Sequence, residues 1–291
     1  MPACYAPPSL HFLTYPHKPK PAPGPIPEGG LLYFIMKFAA SLSTVGLVFL
    51  MTANATADTI TLQAVADNTL YDDLTGSLSN GHGPTFFAGN TGGNLTRRGL
   101  IKFGIAPVPS GAVVDSVSLS LFLYQAQSAP VSIELHRVLQ AWGEGSSATG
   151  FRGGGGANAT TGDATWLHNF YATSYWSTPG GDFAASPSAS TSVDSEGTTY
   201  TWNNTPSLVA DVQSWLDNSS TNYGWLLKGD ETQGGTAKAF ASRDISNLAL
   251  QPALSVTYHV TSIPEPGTYL SLIGALSIFT QLRLRISRKS S

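Results

Sequence analysis

Residues 116–137, SVSLSLFLYQAQSAPVSIELHR, carry the clearest structural pattern in this chain. Every second residue is aliphatic in each half of it: Val117, Leu119, Leu121 and Leu123 in the first, and Val131, Ile133 and Leu135 in the second. A period of two is typical of a β-strand that buries one face. Because Ser128-Ala129-Pro130 lies between the halves as a turn, we expect the two strands to pair as an antiparallel hairpin.

Shorter apolar sets predict three further strands. They are Ile101, Phe103 and Ile105, then Tyr223 to Leu227, and finally Leu254 to Tyr258. Two packed layers bury one face of every strand most economically, so the pattern predicts an all-β, two-sheet antiparallel sandwich.

One short helix interrupts the strands. Thr205 can cap its start, and Pro206 suits the first helical position. Four apolar residues then fall on one face at helical spacing: Leu208, Val212, Trp215 and Leu216. We expect the helix to end at 218–220 and to lie across an open end of the sandwich, with Trp215 as its anchor.

The segment from Gly143 to Pro187 is glycine-rich and has little periodicity. Sugar rings stack on exposed aromatic faces, and four aromatic residues of this segment are the candidate ligand-binding residues: Trp166, Tyr171, Tyr175 and Trp176. Such a long segment can instead be packed down by its own aromatic side chains. For Trp142, Trp215 and Trp225 we expect positions in the core.

The part of the chain from residue 58 to residue 266 is distinctly acidic. From Asp58 to Pro266 there are 12 Asp and 5 Glu against 8 Lys and Arg, so the net charge is 8 − 17 = −9. This argues against a nucleic-acid partner, because phosphate binding needs a basic surface. Arg97 and Arg98 are expected to pair with the domain's own carboxylates. The only cysteine is Cys4, which lies outside this portion, so no disulfide is expected there.

The sequence contains no recognisable catalytic motif. Glycoside hydrolysis commonly needs two carboxylates, and six acidic residues outside any motif are candidates: Glu134, Glu144, Asp163, Asp182, Asp230 and Glu231. His82, His136 and His168 lack zinc-site spacing. We therefore predict no catalytic residues and no cofactor, with a polysaccharide lyase or hydrolase as the alternative. Asp67, Asp72 and Asp73 offer oxygen ligands for a structural calcium ion, which also stays open.

The beginning of the chain carries an export pattern. Met36-Lys37 precedes an apolar run from Phe38 to Met51, and Ala55 and Ala57 supply the small residues of a cleavage site that leaves Asp58 as the new amino terminus. Residues 36–57 are thus a predicted signal peptide. Residues 1–35 are rich in proline, and a start codon assigned too far upstream is preferred to a disordered leader.

The end of the chain has three parts. Ile263-Pro264-Glu265-Pro266-Gly267 is followed by an apolar run and then by a basic cluster from Arg283 to Lys289. The run from Tyr269 to Leu282 makes a helix of roughly 21 Å, short of a hydrocarbon core of roughly 30 Å. Residues 263–291 resemble a PEP-CTERM sorting signal, which implies transient membrane insertion, processing by an exosortase-type enzyme, and export to the surface of a Gram-negative bacterium. A retained transmembrane anchor is the alternative.

Residues 58–262 are similar to the DNRLRE domain family. The resemblance rests on eight blocks in order: Asp67–Tyr71, Arg97–Phe103, Trp142–Gly145, Ala164–Trp166, Trp176 with Gly180–Phe183, Asp211–Trp215, Asn222–Trp225, and Ser242-Arg243 with Pro252–Leu254. The naming block departs from the family, because Asp67-Asn68 is followed by Thr-Leu-Tyr. The resemblance implies a jelly-roll-like sandwich and suggests a glycan ligand. We therefore predict an exported, non-catalytic protein that binds extracellular polysaccharide or builds the matrix, with a matrix protein lacking any specific ligand as a further alternative.

Overall fold

The computed structural model describes residues 56–127, 130–150 and 153–261. The predicted leader, the sorting signal and the signal peptide up to residue 55 lie outside these ranges. The described residues form one α-helix and twelve strands: β1 (Ala57–Tyr71), β2 (Leu78–Ser79), β3 (Thr85–Asn90), β4 (Thr96–Phe103), β5 (Ala112–Ala126), β6 (Val131–Arg137), β7 (Ala157–Asn158), β8 (Ala189–Val193), β9 (Thr198–Trp202), α1 (Pro206–Asp217), β10 (Trp225–Lys228), β11 (Lys238–Ala241) and β12 (Ala253–Val260).

Ten of these strands form a continuous antiparallel sheet, and β2 pairs with β7 in a small second sheet. The large sheet folds over where β1 changes partners, because residues 57–63 pair with β12 whereas residues 64–71 pair with β4. A register shift between Ala64 and Ala66 marks this crossing, as expected of a bulge that bends a strand. We call the first half of β1 with β12, β5, β9 and β11 layer 1, and the second half of β1 with β4, β10, β6 and β8 layer 2. The arrangement is sandwich-like, as the alternation predicted.

The main core lies between the two layers. Leu119 and Leu121 of layer 1 and Ile133 and Leu135 of layer 2 are fully buried in the same cluster. Every second residue of these strands is apolar, so each strand turns one face inward. At about 25 cal/mol per Å² of apolar area removed from water, this burial is the main stabilising contribution to the fold.

The predicted hairpin between the two halves of residues 116–137 is wrong. β5 pairs with β12 and β11 on one side and with β9 on the other, so no edge of it is left for β6. β6 pairs instead with β10 and β8 in layer 2. Alternation of apolar residues establishes that each strand has a buried face, but it carries no information about which strand lies beside it. The two strands face each other across the core.

The helix follows its prediction closely. Thr205 is the N-cap, and its hydroxyl accepts a hydrogen bond from the Leu208 amide at 3.0 Å. Trp215 is fully buried, and its ring centroid lies 4.5 Å from that of Trp225. The Trp225 indole N–H donates in turn to Asp211 of the helix at 2.8 Å. The core positions predicted for Trp215 and Trp225 are therefore confirmed, and Trp215 anchors α1.

Layer 2 is buried on its outer face as well. Along β4, Ile101 points into the main core, whereas Leu100 belongs to a second cluster on the opposite side of the sheet. The long segment after β6 covers this outer face with Ala164 and Trp176, and the outward residue Leu226 of β10 completes the contact. The glycine-rich segment is therefore a packed part of the fold.

We expect Leu100→Ala to lower the free energy of unfolding by about 2–5 kcal/mol, because it opens a cavity under the long segment. Leu248→Ala is the matched control, since Leu248 is 74% exposed, and its effect should stay within about 0.5 kcal/mol. Urea unfolding followed by tryptophan fluorescence measures both. Equal effects of the two substitutions would show that the outer face of layer 2 is not sealed.

Candidate functional site

The four aromatic residues predicted as a ligand platform occupy different environments. Trp176 is only 4% exposed, and its indole N–H donates to the Thr165 carbonyl at 2.9 Å. A ring enclosed on both faces cannot stack on a sugar, so the assignment of Trp176 to the platform is corrected: its side chain is a core anchor. The sequence offered no periodicity in this segment from which its inward direction could be predicted.

Tyr175 points the other way, into solvent. It is 66% exposed, and its ring lies 4.3 Å from that of His168 between centroids, at an interplanar angle of 34°. Tyr171, half-buried, approaches the same imidazole edge-on at 5.1 Å. We call His168, Tyr171 and Tyr175 the aromatic patch. An exposed ring that is held by a neighbouring ring loses little conformational freedom when a ligand binds, which favours affinity.

His168 fixes the position of the patch. It is 7% exposed, its Nδ1 lies 3.0 Å from the Thr165 hydroxyl, and its backbone N–H donates to the same hydroxyl at 3.0 Å. The Thr165 amide in turn donates to the His168 carbonyl at 2.9 Å. The sequence shows only that His168 lacks zinc-site spacing, and this supporting role was not predicted from it. Its spacing of three and seven residues from Tyr171 and Tyr175 has no local signature.

Trp166 belongs to a separate contact. The Arg98 guanidinium lies 4.8 Å from the centroid of the Trp166 ring and makes a bidentate pair with Glu231 at 2.7 and 2.9 Å. Arg98 also donates to the Gly180 carbonyl at 2.8 Å. A side chain at Gly180 would meet both Arg98 and Trp166, and the backbone φ of +89° there suits glycine. The half-buried Trp166 ring therefore has one face occupied by Arg98, and the predicted pairing of Arg98 with a carboxylate is confirmed.

The remaining candidate carboxylates all bond to other protein groups. Glu134 lies 3.1 Å from His136 Nε2, and Asp182 accepts hydrogen bonds from the Ser177 and Thr178 amides at 2.7 and 3.0 Å. Asp163 closes a turn by accepting from the backbone of residues 146 and 160, and Asp230 closes another by accepting from residue 232. These carboxylates hold turns and strand ends in place.

Three sequence blocks that lie far apart in the chain converge on a buried polar cluster. Arg243 donates from Nε and Nη2 to the two carboxylate oxygens of Glu144, at 2.6 and 3.1 Å, and this carboxylate also accepts from the Asp67 amide at 3.0 Å. Asn68 donates to the Glu144 carbonyl at 2.9 Å. Asp244 borders the cluster, with His82 Nδ1 3.4 Å from its Oδ2. The contact between Arg243 and Glu144 joins residues 99 positions apart and has no local sign in the sequence.

Asp67 is the buried centre of this cluster. Its Oδ2 accepts from the Arg243 amide at 2.7 Å, whereas its Oδ1 has no hydrogen-bond partner among the described residues. Burial raises the pKa of the Asp67 carboxyl well above its ordinary value; the Arg243 amide and guanidinium oppose this, and the carboxylates of Glu144 and Asp244 add to it. Desolvation thus favours the protonated form.

The aspartates considered for calcium do not share a site. Burial acts to raise the pKa of Asp73, but hydrogen bonds from Thr75, Gly76 and Ser77 outweigh it and lower this pKa below its ordinary value. Its oxygens are thus engaged in a turn, while Asp67 faces Arg243. Within the described ranges, no group of three or more His, Cys, Asp or Glu side chains is placed to hold a metal ion. A structural calcium ion is not part of the function proposed below.

No protein-family model matches the chain, and no curated protein matches it either. The resemblance to the DNRLRE family and to a sorting signal therefore stays a prediction from the quoted residues. In the part of the chain that the structure describes, no helix is both long and apolar enough to span a membrane.

The raised pKa of Asp67 predicts a pH dependence of stability. As pH rises past the ordinary carboxyl pKa of about 3.9, the unfolded chain loses this proton while the folded chain keeps it, so the folded state is destabilised until its own pKa is passed. Thermal melting between about pH 5 and pH 8 should therefore show a falling melting temperature in the parent chain and a smaller fall in Asp67→Asn. Asp217→Asn, at an exposed carboxylate of α1, should keep the parental slope. If the melting temperature of Asp67→Asn fell with rising pH as steeply as that of the parent, Asp67 would not be the source of the pH dependence.

Proposed function

We propose that the chain is an exported, non-catalytic β-sandwich protein that binds polysaccharide, or builds the matrix, at the cell surface or in the extracellular exopolysaccharide. The observation that carries the proposal is the aromatic patch, in which Tyr175 is two-thirds exposed yet packed against a buried histidine. Stacking on a sugar needs such a ring, with one open face and an edge that can hydrogen-bond.

We infer a jelly-roll-like sandwich of two sheets, supported by the crossing of β1 between layers and by the antiparallel pairing within each layer. We also propose membership of the DNRLRE family, on the sequence blocks alone. Three of these blocks, which contain Asp67, Glu144 and Arg243, share one contact in the fold although they are far apart in the chain.

Export rests on the terminal patterns. β1 begins at Ala57, directly before the expected new amino terminus Asp58, and β12 ends at Val260, shortly before Pro264-Glu265-Pro266. The ordered strands thus fill the interval between the two proposed signals. We propose that an exosortase-type enzyme processes the carboxy-terminal signal after transient membrane insertion, and that the producing cell is a Gram-negative bacterium.

A polysaccharide lyase or hydrolase is the less supported alternative. Glu144 and Glu231 each bind an arginine with both carboxylate oxygens, and Asp163 and Asp182 hold turns. Freeing any of these carboxylates for general acid or base catalysis would break a structural contact. This favours binding over catalysis.

Tyr175→Ala should weaken binding to a recognised polysaccharide by roughly tenfold, because stacking of a sugar ring on an aromatic ring is worth on the order of 1 kcal/mol or more. Its melting temperature should stay close to that of the parent, since the side chain is exposed. Affinity electrophoresis in gels containing a panel of soluble polysaccharides measures the first, and a thermal melt the second.

Trp176→Ala is the matched comparison in the next residue. It removes a buried ring and should cost about 3–5 kcal/mol of stability, and any loss of binding should follow the loss of folded protein. A parent chain that binds no polysaccharide of the panel would favour a matrix protein without a specific ligand. Release of new reducing or unsaturated ends would favour the enzyme instead.

A further inference from the structure

The outer face of layer 1 carries an uncharged stripe along β5. Its outward residues alternate with buried aliphatic residues: Ser116, Ser118, Ser120 and Phe122 are half-exposed, and Tyr124 is 39% exposed. The half-exposed Gln125 follows at a register shift in the pairing with β11. No charged residue occurs between Asp115 and Glu134 in the sequence. From Ser116 to Gln125 the stripe is roughly 30 Å long at about 3.3 Å per residue.

Neighbouring strands widen the stripe with small hydroxyl residues. Ser255 and Thr257 of β12 lie opposite Ser118 and Ser116, and Thr201 of β9 lies opposite Ser120. Among the described residues, the Ser116, Ser118 and Ser255 hydroxyls make no side-chain hydrogen bond. Hydroxyls in this state can both donate to and accept from a ligand.

At its far end the stripe runs into a cavity of about 90 Å³. Phe87 and Ala239 form its apolar part, Gln125 and Gln127 contribute side-chain amides, and Gly154 closes one side. Neither amide has a hydrogen-bond partner among the described residues. The cavity has room for several water molecules or for a substituent of a longer ligand.

The negative charge around the stripe disfavours an anionic ligand. The described residues contain 7 Lys and Arg against 16 Asp and Glu, a net of 7 − 16 = −9, and both ends of the stripe are acidic. Asp115, which pairs with His259 at 2.8 Å, lies at one end, and Glu196, which accepts from the Ala126 amide at 3.3 Å, lies at the other. An anionic polymer would be repelled along this path, whereas a neutral one would not.

The size of the stripe argues against a protein partner. With a width of about two strand spacings, near 10 Å, it covers roughly 300 Å². A stable protein–protein contact needs about 800 Å² on each partner. Hydroxyls, amides and the two accessible rings of Phe122 and Tyr124 in a row of this length suit a linear, hydroxyl-rich chain.

We propose that the β5 stripe and the cavity at Phe87 form a second binding surface, which takes a linear neutral polysaccharide. The β5 stripe lies on layer 1, and the cavity at its end also takes in Phe87 of β3 and Gly154 of the long segment. The aromatic patch lies on residues 168–175 of that segment. The inference extends the proposed function and does not depend on Tyr175.

The test uses the full-length chain with hydroxyethyl cellulose, dextran and mannan as neutral probes and alginate as the anionic probe. We expect at least one neutral polymer to bind, alginate to bind more weakly, and the double variant Gln125→Ala/Gln127→Ala to lose on the order of tenfold in affinity with an unchanged melt. Ser118→Asp places a charge in the middle of the stripe without changing the cavity, and it should lower the affinity for the same polymer.

The control is Gln140→Ala/Gln233→Ala, which removes two glutamine side chains elsewhere and should bind as the parent does. Tyr175→Ala should leave binding at the stripe in place, so the aromatic patch and the stripe fail or succeed separately. The inference would be overturned if both stripe variants bound every neutral polymer as tightly as the parent does. It would also be overturned if the parent bound alginate and no neutral polymer. A stripe variant that changes only the sedimentation of the chain would overturn it in favour of self-association.

Discussion

The structure depends on the burial of layer 2 on both faces. β4 and β10 carry apolar residues in successive positions, so Leu100 and Leu226 would face water if the sheet had only the main core on one side. Leaving such side chains exposed costs about 1.5–3 kcal/mol each. The long segment after β6 removes this cost by packing Trp176 and Ala164 against them. The long segment is therefore held in place by its packing against the sheet, although its own sequence has no regular pattern.

The same contact explains why an aromatic patch is exposed at all. Trp176 points inward because the outer face of layer 2 needs cover, and Tyr175, the preceding residue, points outward and rests on His168. The core thus holds the backbone that presents the ring. A binding ring on a loop without such an anchor would lose more conformational entropy when a ligand binds. Packing and the proposed function are linked through these two neighbouring residues.

Local patterns predicted the elements of the fold, and long-range contacts were beyond them. The alternation of residues 116–137 and the cap at Thr205 predicted strands and helix correctly, because both depend on near neighbours. The pairing of β5 was missed, since its partners lie up to 148 positions away, as between Ala112 and Val260. The contact between Asp67 and Arg243 spans 176 positions and joins blocks that carry no local sign of each other. For the same reason, four aromatic residues could be selected, but not the one that faces solvent.

Most basic side chains in the described part of the chain have partners within the protein. Arg98 and Arg243 bind glutamates, Arg97 donates to the Gly154 carbonyl, and the buried Lys238 donates to the Asp194 carbonyl. Neither the aromatic patch nor the β5 stripe contains a lysine or an arginine, which favours hydrogen bonding and stacking over ion pairing at these two surfaces. With two such surfaces, a single molecule would contact two polymer chains. Where both surfaces engage the same polymer network, the second contact is made at a raised effective concentration, so the two linked sites gain avidity.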